Sequence, residues 1–354
     1  MSQFWSQQVH QLDPYVPGEQ PGNRVFKKLN TNENPYPPAP GVKTAIEQFN
    51  ANDLKLYPDP ESVELRQALA DYHHLDVNQL FVGNGSDEVL AHAFFAFFQQ
   101  THPLLFPDIS YSFYPVYCGL YGIEFNTIKL NTRFEIDIED YSNPYGGIIL
   151  PNPNAPTGIA LPLESIRRLL VNSRSVVIID EAYVDFGAES AISLINEFEH
   201  LLVIRTFSKS RSLAGLRLGY AMGSSALING LNRVKNSFNS YPVNRLTTRI
   251  AIASIEDEDY FKQSCDLIIN SRESLSKNLK TLGFAVFPSK SNFLFVHHPG
   301  QNALVLAGKL RDIGILVRHF KADRIDQCLR ITVGNESECE ALFSALTVIV
   351  NGGD

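Results

Sequence analysis

Through roughly the first two thirds of the chain, short unbroken apolar runs alternate with longer stretches in which apolar residues recur every three or four positions. The runs are "LFVG", "PLLFP" (103–107), "FNTIKL" (125–130), "GGIIL" (146–150), "SVVIID" (175–180), "LLVIRT" (201–206) and "RLGYAMG". They are too short for helices and rich in β-branched residues, so they predict strands buried on both faces. Between several of them lie helical patterns such as "LESIRRLLVN", and "ESVELRQALADYHHL" sets Leu65, Leu69 and Tyr72 on one helical face. A largely buried helix is expected from about Ser86, after the turn "GNG". Strands alternating with helices predict an α/β fold: a mostly parallel sheet between layers of helices.

Two segments depart from that rhythm. Up to about Pro40 the chain is dense in Pro, Asn and Gly ("LDPYVPGEQPGN", "LNTNENPYPPAPG"), which disfavours regular structure and predicts an extended arm. Beyond about residue 255 a long helical stretch leads into "FAVFPSKSNFLFVHH", the helix "ALVLAGKLRDIG", the strands "ILVR" and "CLRITVG", and the helix "ESECEALFSALTVIV". That order predicts a smaller α+β domain. The expected organisation is an arm over 1–40, a large domain over 41–254 and a small C-terminal domain over 255–354.

Composition narrows the classes. At 354 residues, 44% hydrophobic and 19% charged, the chain exceeds one ordinary core. A net charge of −8 argues against nonspecific nucleic-acid binding. No run approaches the ~18 apolar residues of a membrane span. Cys118, Cys265, Cys328 and Cys339 are scattered, with no spacing that suggests a metal. The opening "MSQFWSQQVHQL" lacks the pattern of a signal peptide, and a cytoplasmic location is expected. His73-His74 and His297-His298 lack ligand companions and read as surface or capping residues. "AFFAFF" has core spacing, and Cys328 reads as core.

Sites in parallel sheets lie at the carboxyl ends of the strands. Here those ends carry Asn152 and Asn154, then Asp180 and Tyr183, then Lys209. Taken singly, each has a simpler reading: Lys209 reaching water, Asp180 capping a helix, Tyr183 in a core. Together, at successive strand ends, they supply what pyridoxal phosphate requires. Lys209 offers an amine for the aldehyde, Asp180 an acid for the pyridine nitrogen and Tyr183 a donor for the phenolate oxygen. The turn "GNGSDEV" opens a helix whose free N–H groups suit a phosphate, and Thr206, Ser208 and Arg217 add hydroxyls and charge. Asp87 and Glu88 at that helix start would repel a phosphate and are expected to point elsewhere. Arg211 has no assigned role and is placed on the surface by default.

These segments resemble a known family. "TFSKSRSLAGLRLGY", "PNPNAPTG", "DEAYVDF" and "GNGSDE" are similar to the lysine, asparagine, Asp/Tyr and phosphate-binding segments of fold-type I pyridoxal-phosphate-dependent aminotransferases. "LNTNENPYPP", "LYPDP" and "CLRITVG" narrow the resemblance to the histidinol-phosphate aminotransferases, over nearly the whole chain and in family order. The resemblance implies the fold-type I transferase architecture and, residue by residue, the following roles. Lys209 forms the Schiff base and moves the Cα proton; Asp180 and Tyr183 hold the ring. Tyr111 stacks on it, and Gly85, Ser86, Asp87, Thr206, Ser208 and Arg217 hold its phosphate. Tyr57 reaches the neighbouring subunit's cofactor, which implies a homodimer. Tyr15, Arg318 and Arg330 bind substrate, either histidinol phosphate or glutamate/2-oxoglutarate. Where relatives read "NNPTG", position 155 is alanine, so either Asn154 reaches the phenolate oxygen or Tyr183 carries that bond alone. The implied activity is transamination of L-histidinol phosphate with 2-oxoglutarate in histidine biosynthesis. An aromatic amino acid aminotransferase and a catalytically silent binding protein of the same fold are the alternatives.

Overall fold

The computed structural model describes residues 2–20, 26–142 and 144–352. Its strands are β1 (Lys27–Leu29), β2 (Leu80–Gly83), β3 (Leu104–Pro107), β4 (Phe125–Ile128), β5 (Gly147–Pro151), β6 (Val177–Asp180), β7 (Leu201–Thr206), β8 (Gly219–Gly223), β9 (Ala285–Val286), β10 (Phe293–His297), β11 (Ile315–His319) and β12 (Cys328–Thr332). Seven of them form one sheet in the order β2-β8-β7-β6-β5-β3-β4. Within it β8 is antiparallel to both neighbours, and the other pairings are parallel.

The unbroken apolar runs have a direct physical cause. Side chains alternate across a strand, and both faces of the central strands are covered; β4, expected to be buried like the others, lies at the sheet edge and is mostly exposed. Leu150, Ile179, Leu201 and Val203 enter one hydrophobic layer. Ile149, Ile178, Leu202 and Ile204 enter the layer on the opposite face, with Val89, Phe94 and Tyr114. With no face left for water, no position in these strands could be polar except at an end. "AFFAFF" divides accordingly: Phe94 and Phe98 are buried, whereas Phe95 is half exposed.

The second sheet runs β1-β11-β12-β10-β9 and is antiparallel except for β1 on β11. Leu275, Leu279, Leu306, Leu310, Leu342 and Leu346, from the helices Glu258–Thr281, Ala303–Asp312 and Glu336–Asn351, pack together in its core. Asn302 and Asn335 cap the last two helices, the latter with Glu338 in a reciprocal capping box. The N-terminal stretch carries more order than its composition suggests. Ser6 caps a helical turn over Gln7–Gln11, and β1 extends the second sheet at its edge. No helix among the described residues is long and apolar enough to cross a membrane.

The register β5–β6–β7 aligns Pro151 with Asp180 and Asp180 with Ile204, so three strands end at one level. β8 then folds back, pairing Gly219 with Thr206 and with Gly83. A Cβ on Gly219 would lie 2.3 Å from the Ser86 amide nitrogen, so only glycine lets the helix Gly85–Phe97 start against this strand. Gly219→Ala should therefore cost about 1–3 kcal/mol of stability by overpacking, read from urea unfolding. An unchanged midpoint would show that the helix start yields freely.

Candidate active site

Lys209 follows β7 on a short loop. Its Nζ donates to the Thr31 carbonyl at 3.1 Å and lies 5.7 Å from the centre of the Tyr183 ring. The loop is held from behind. Ser210 Oγ donates to Asp185 Oδ2 at 2.6 Å, Asp185 Oδ1 pairs with Arg205 at 3.2 Å, and Arg205 Nε pairs with buried Glu181 at 2.9 Å. Asn34 Nδ2 donates to the carbonyls of Lys209 and Ser210, both at 3.2 Å. Arg211 is not on the surface. It is buried, with its guanidinium 4.1 Å from the centre of the Phe261 ring and 5.1 Å from that of Tyr72, and it donates to the Ser254 carbonyl. Aromatic faces and a carbonyl stabilise a buried guanidinium with Glu258 3.9 Å away. Neighbouring sequence gives no hint of those partners. His73 is likewise no free surface histidine. Its Nε2 lies 3.0 Å from Tyr220 Oη, and burial pulls its pKa down to about 3, so it stays neutral.

Asp180 is buried at the end of β6 and accepts from Tyr114 Oη at 2.9 Å and from the Ala182 amide at 3.2 Å. Burial pushes its carboxyl up to about 6, against those two bonds and with help from nearby Asp87 and Glu181. Tyr183 Oη accepts from Asn32 Nδ2 at 2.9 Å. Asp180, Tyr183 and Lys209 line one cavity of about 180 Å³ with Thr31, Glu33, Ser86, Asp87, Tyr111, Ala155, Thr206, Ser208 and Arg217.

The turn ahead of the helix Gly85–Phe97 meets Arg217 closely. Gly85 has φ +84°, and a Cβ there would lie 2.6 Å from Arg217 Nη2. Thr206 Oγ1 accepts from the Ser208 amide and donates to its hydroxyl, holding both hydroxyls together. The two acids behave differently. Glu88 turns back to accept from the Asn84 amide. Asp87 does not point away: Oδ2 pairs with Arg217 at 3.1 Å and Oδ1 accepts from Tyr111 Oη at 2.9 Å. A carboxylate here orients a cation that faces the helix start.

Asn154 is withdrawn from this cavity. Its Nδ2 donates to the Ile109 carbonyl and to Thr157 Oγ1, both at 3.0 Å, and its backbone closes the turn to Ile159 and Gly158. It lines neither this cavity nor the one that adjoins it, whereas Ala155 lines both. Tyr183 is instead fixed by Asn32, from a remote part of the chain, whose Nδ2 donates to its hydroxyl.

A larger cavity of about 360 Å³ adjoins the first and shares Thr31, Tyr111, Ala155, Tyr183 and Lys209 with it. Tyr15, Asn30, Arg318, Phe320 and Arg330 line its far side. Tyr15 packs on Phe113, ring centres 4.8 Å apart. Arg318 and Arg330 sit directly opposite each other on β11 and β12. Arg330 donates to the Asn30 carbonyl at 3.0 Å, lies against Phe293 and Phe320, and has a buried Nε without a partner. Burial and facing Arg318 both lower its pKa. Like charges opposite each other on paired strands repel, and no carboxylate forms an ion pair with either arginine among the described residues. Tyr57 lies apart from both cavities, 77% exposed and stacked on Tyr241.

The chain matches the family described as aminotransferase class I and II over residues 25–346. It is 58% identical over 353 residues to "Histidinol-phosphate aminotransferase 1" of Methylococcus capsulatus, covering 99% of each chain. It is 56% identical over 352 residues to "Histidinol-phosphate aminotransferase" of Acinetobacter baylyi, covering 98% of each. The chain belongs to the histidinol-phosphate aminotransferase family. The solved histidinol-phosphate aminotransferase of Sinorhizobium meliloti, a complex with pyridoxal-5'-phosphate, superimposes with a TM-score of 0.88 at 24% identity over 99% of both chains. It confirms the α/β fold read from the strand pattern and the fold-type I aminotransferase architecture that the resemblance implied.

The smaller cavity fits a group of that kind. It sets an amine, a buried carboxylate, a phenol and a glycine cradle with an arginine around one space. Those donors match an aldehyde, a ring nitrogen, a phenolate oxygen and a phosphate. Among the described residues no cluster of His, Cys, Asp or Glu could hold a metal.

Four contributors were given no role by the sequence: Thr31, Asn32, Asn34 and Tyr114. The first three stand in "LNTNENPYPP", a segment that carried the resemblance without saying which of its side chains reach the site. Replacing Arg330 by Met should relieve the repulsion with Arg318. In anion-free buffer the variant should match or exceed the wild type by up to about 1 kcal/mol, and sulfate should raise its Tm less than it raises that of the wild type. Thermal unfolding with and without sulfate checks both; an equal sulfate response would show that the arginine pair holds no anion.

Proposed function

We propose that this chain transfers an amino group from L-histidinol phosphate to 2-oxoglutarate, giving imidazole acetol phosphate and glutamate, with pyridoxal phosphate in the smaller cavity. The observation that carries the reading is the adjacency of two complementary sites. One presents Lys209 beside a buried carboxylate, and the other presents two arginines that no carboxylate of the described residues pairs with.

When bound, the cofactor supplies an aldehyde and a ring that accepts electrons. The residues then divide the work. Lys209 provides the amine that holds the cofactor and afterwards moves the proton at the substrate Cα. Asp180, ionised, favours a positively charged ring nitrogen. Tyr183, its hydroxyl accepting from Asn32, would bond the phenolate oxygen. Tyr111, its hydroxyl fixed by Asp87, would cover the ring. The Gly85–Ser86 backbone, Thr206, Ser208 and Arg217 would hold the phosphate, with Asp87 orienting the arginine. Arg318 and Arg330 accept the far anion of either substrate. A planar guanidinium suits a phosphate in one half-reaction and a carboxylate in the other. Tyr15 closes the outer wall.

The reading includes a homodimer. Exposed Tyr57 and Tyr241 stand near exposed Leu54, Leu56 and Phe238, and a second copy that covers them would carry Tyr57 to the other site.

Comparison of kcat/KM for histidinol phosphate, phenylalanine and tyrosine as donors to 2-oxoglutarate tests the substrate. Histidinol phosphate should win by at least about 10-fold, since a phosphate on paired arginines contributes charge-assisted bonds that the other donors lack there. Parity among the three would sink the assignment. Lys209→Ala and Tyr57→Ala should each be inactive or strongly impaired alone. Mixed and reassembled, they should regain activity, because one site of the hybrid then has both residues intact; no recovery would place Tyr57 outside the partner's site.

A further inference from the structure

The helix Tyr114–Tyr121 contributes one group to the cofactor site that no strand-end motif announces. Tyr114 is fully buried, and its hydroxyl donates to Asp180 Oδ2 at 2.9 Å. Its ring is fixed by Phe94, Phe106 and Tyr111, with centres 5.9, 5.8 and 5.6 Å away. The hydroxyl therefore has one place to point. Deepening the functional reading above, and resting on it, we propose that Tyr114 is a positioning residue for the cofactor that holds Asp180 ionised and so sets how tightly, and down to what pH, the cofactor binds.

The charges around Asp180 make this bond decisive. From its own strand end come the Ala182 amide, which donates at 3.2 Å, and Glu181, whose charge opposes ionisation. From the helix Gly85–Phe97 comes Asp87, which opposes it too. Tyr117 and Tyr111, on the tyrosine-bearing segment, give their hydroxyls to the Asp87 carbonyl and carboxylate, not to Asp180. Lys209 faces the same cavity, where it bonds to Thr31. Two like charges and burial thus favour the neutral acid, and two hydrogen bonds favour the carboxylate. One of the two is the Tyr114 hydroxyl. Burial and Asp180 hold the phenol protonated, its pKa raised well above the ordinary value, so it remains a donor across the working range. A neutral Asp180 would offer no counter-charge to a protonated ring nitrogen. No covalent step is involved.

The test is equilibrium dialysis of pyridoxal phosphate against the apoprotein from pH 5 to 9. Wild type, Tyr114→Phe and, as a matched loss of a neighbouring buried hydroxyl, Tyr117→Phe are compared. A parallel series uses the analogue with carbon in place of the ring nitrogen. Loss of a hydrogen bond to a charged group shifts a pKa by about 1–2 units. In Tyr114→Phe the acid-side midpoint of cofactor affinity should rise by about that much, with affinity near pH 7 about 10-fold weaker. Tyr117→Phe should leave the midpoint in place, and the analogue should bind Tyr114→Phe and wild type alike. An unmoved midpoint in Tyr114→Phe, or equal weakening for cofactor and analogue, overturns the proposal and leaves Tyr114 a packing residue. Failure of wild type to bind the cofactor at any pH overturns the functional reading itself, and this inference with it.

Discussion

A carboxylate buried at the end of a strand has to be compensated, and the cost of leaving Asp180 uncompensated shapes the surrounding structure. The strand that carries it is apolar on both faces, so no water reaches it from the side. Its two hydrogen bonds come from Tyr114 and the Ala182 amide, and no cation of the described residues pairs with it. Burial of this kind drives an acid toward its neutral form unless donors or a positive charge oppose it. The cavity at its open side, faced by Lys209 and the Arg217 cradle, is where such a charge would sit.

Rigidity behind the site follows from a second buried system. Glu181 immediately follows Asp180, and burial also raises its pKa, against the pull of Arg205. The chain Glu181–Arg205–Asp185–Ser210 runs from β6 through β7 to the Lys209 loop. Buried ion pairs contribute little net stability but are costly to break, so the loop has one favoured place. From the other side, Thr31, Asn32 and Asn34 bind Lys209, Tyr183 and the lysine loop. The same segment reaches Thr332 on β12 and Asn292 just ahead of β10. The amine is thus fixed by both sheets at once.

The outer cavity has the opposite character. Its arginines face each other with no carboxylate paired to them among the described residues, on a wall that includes Tyr15 and Phe320. Repulsion held in a folded site is relieved by an anionic ligand and not by a neutral one, and that difference in affinity is a source of specificity. The charge lies on β11 and β12, whose core is separate from that of the large sheet. The charged residues of the two cavities therefore rest on different hydrophobic cores.

The large sheet could be read from the sequence because burial on both faces leaves a strong local mark: "SVVIID" and "LLVIRT" tolerate no polar residue before their ends. For the same reason Asp180 and Lys209 stood out, as charge where the pattern allowed none. Residues whose role rests on distant partners left no such mark. Arg211 became a core residue because Phe261 and Tyr72, from other helices, surround it. Asn154 turned inward because its amide closes a turn against Ile109, and Asn32, from the far N-terminal side, took the place beside Tyr183. Tyr114 looked like one more aromatic in a helix until the fold set its hydroxyl on Asp180. By itself the sequence determined the strand layers, the strand-end chemistry and the family, since these follow from local pattern and motif. Only the tertiary structure decided which donors complete each charged group, because hydrogen bonds and ion pairs are made across space between residues that the chain keeps far apart.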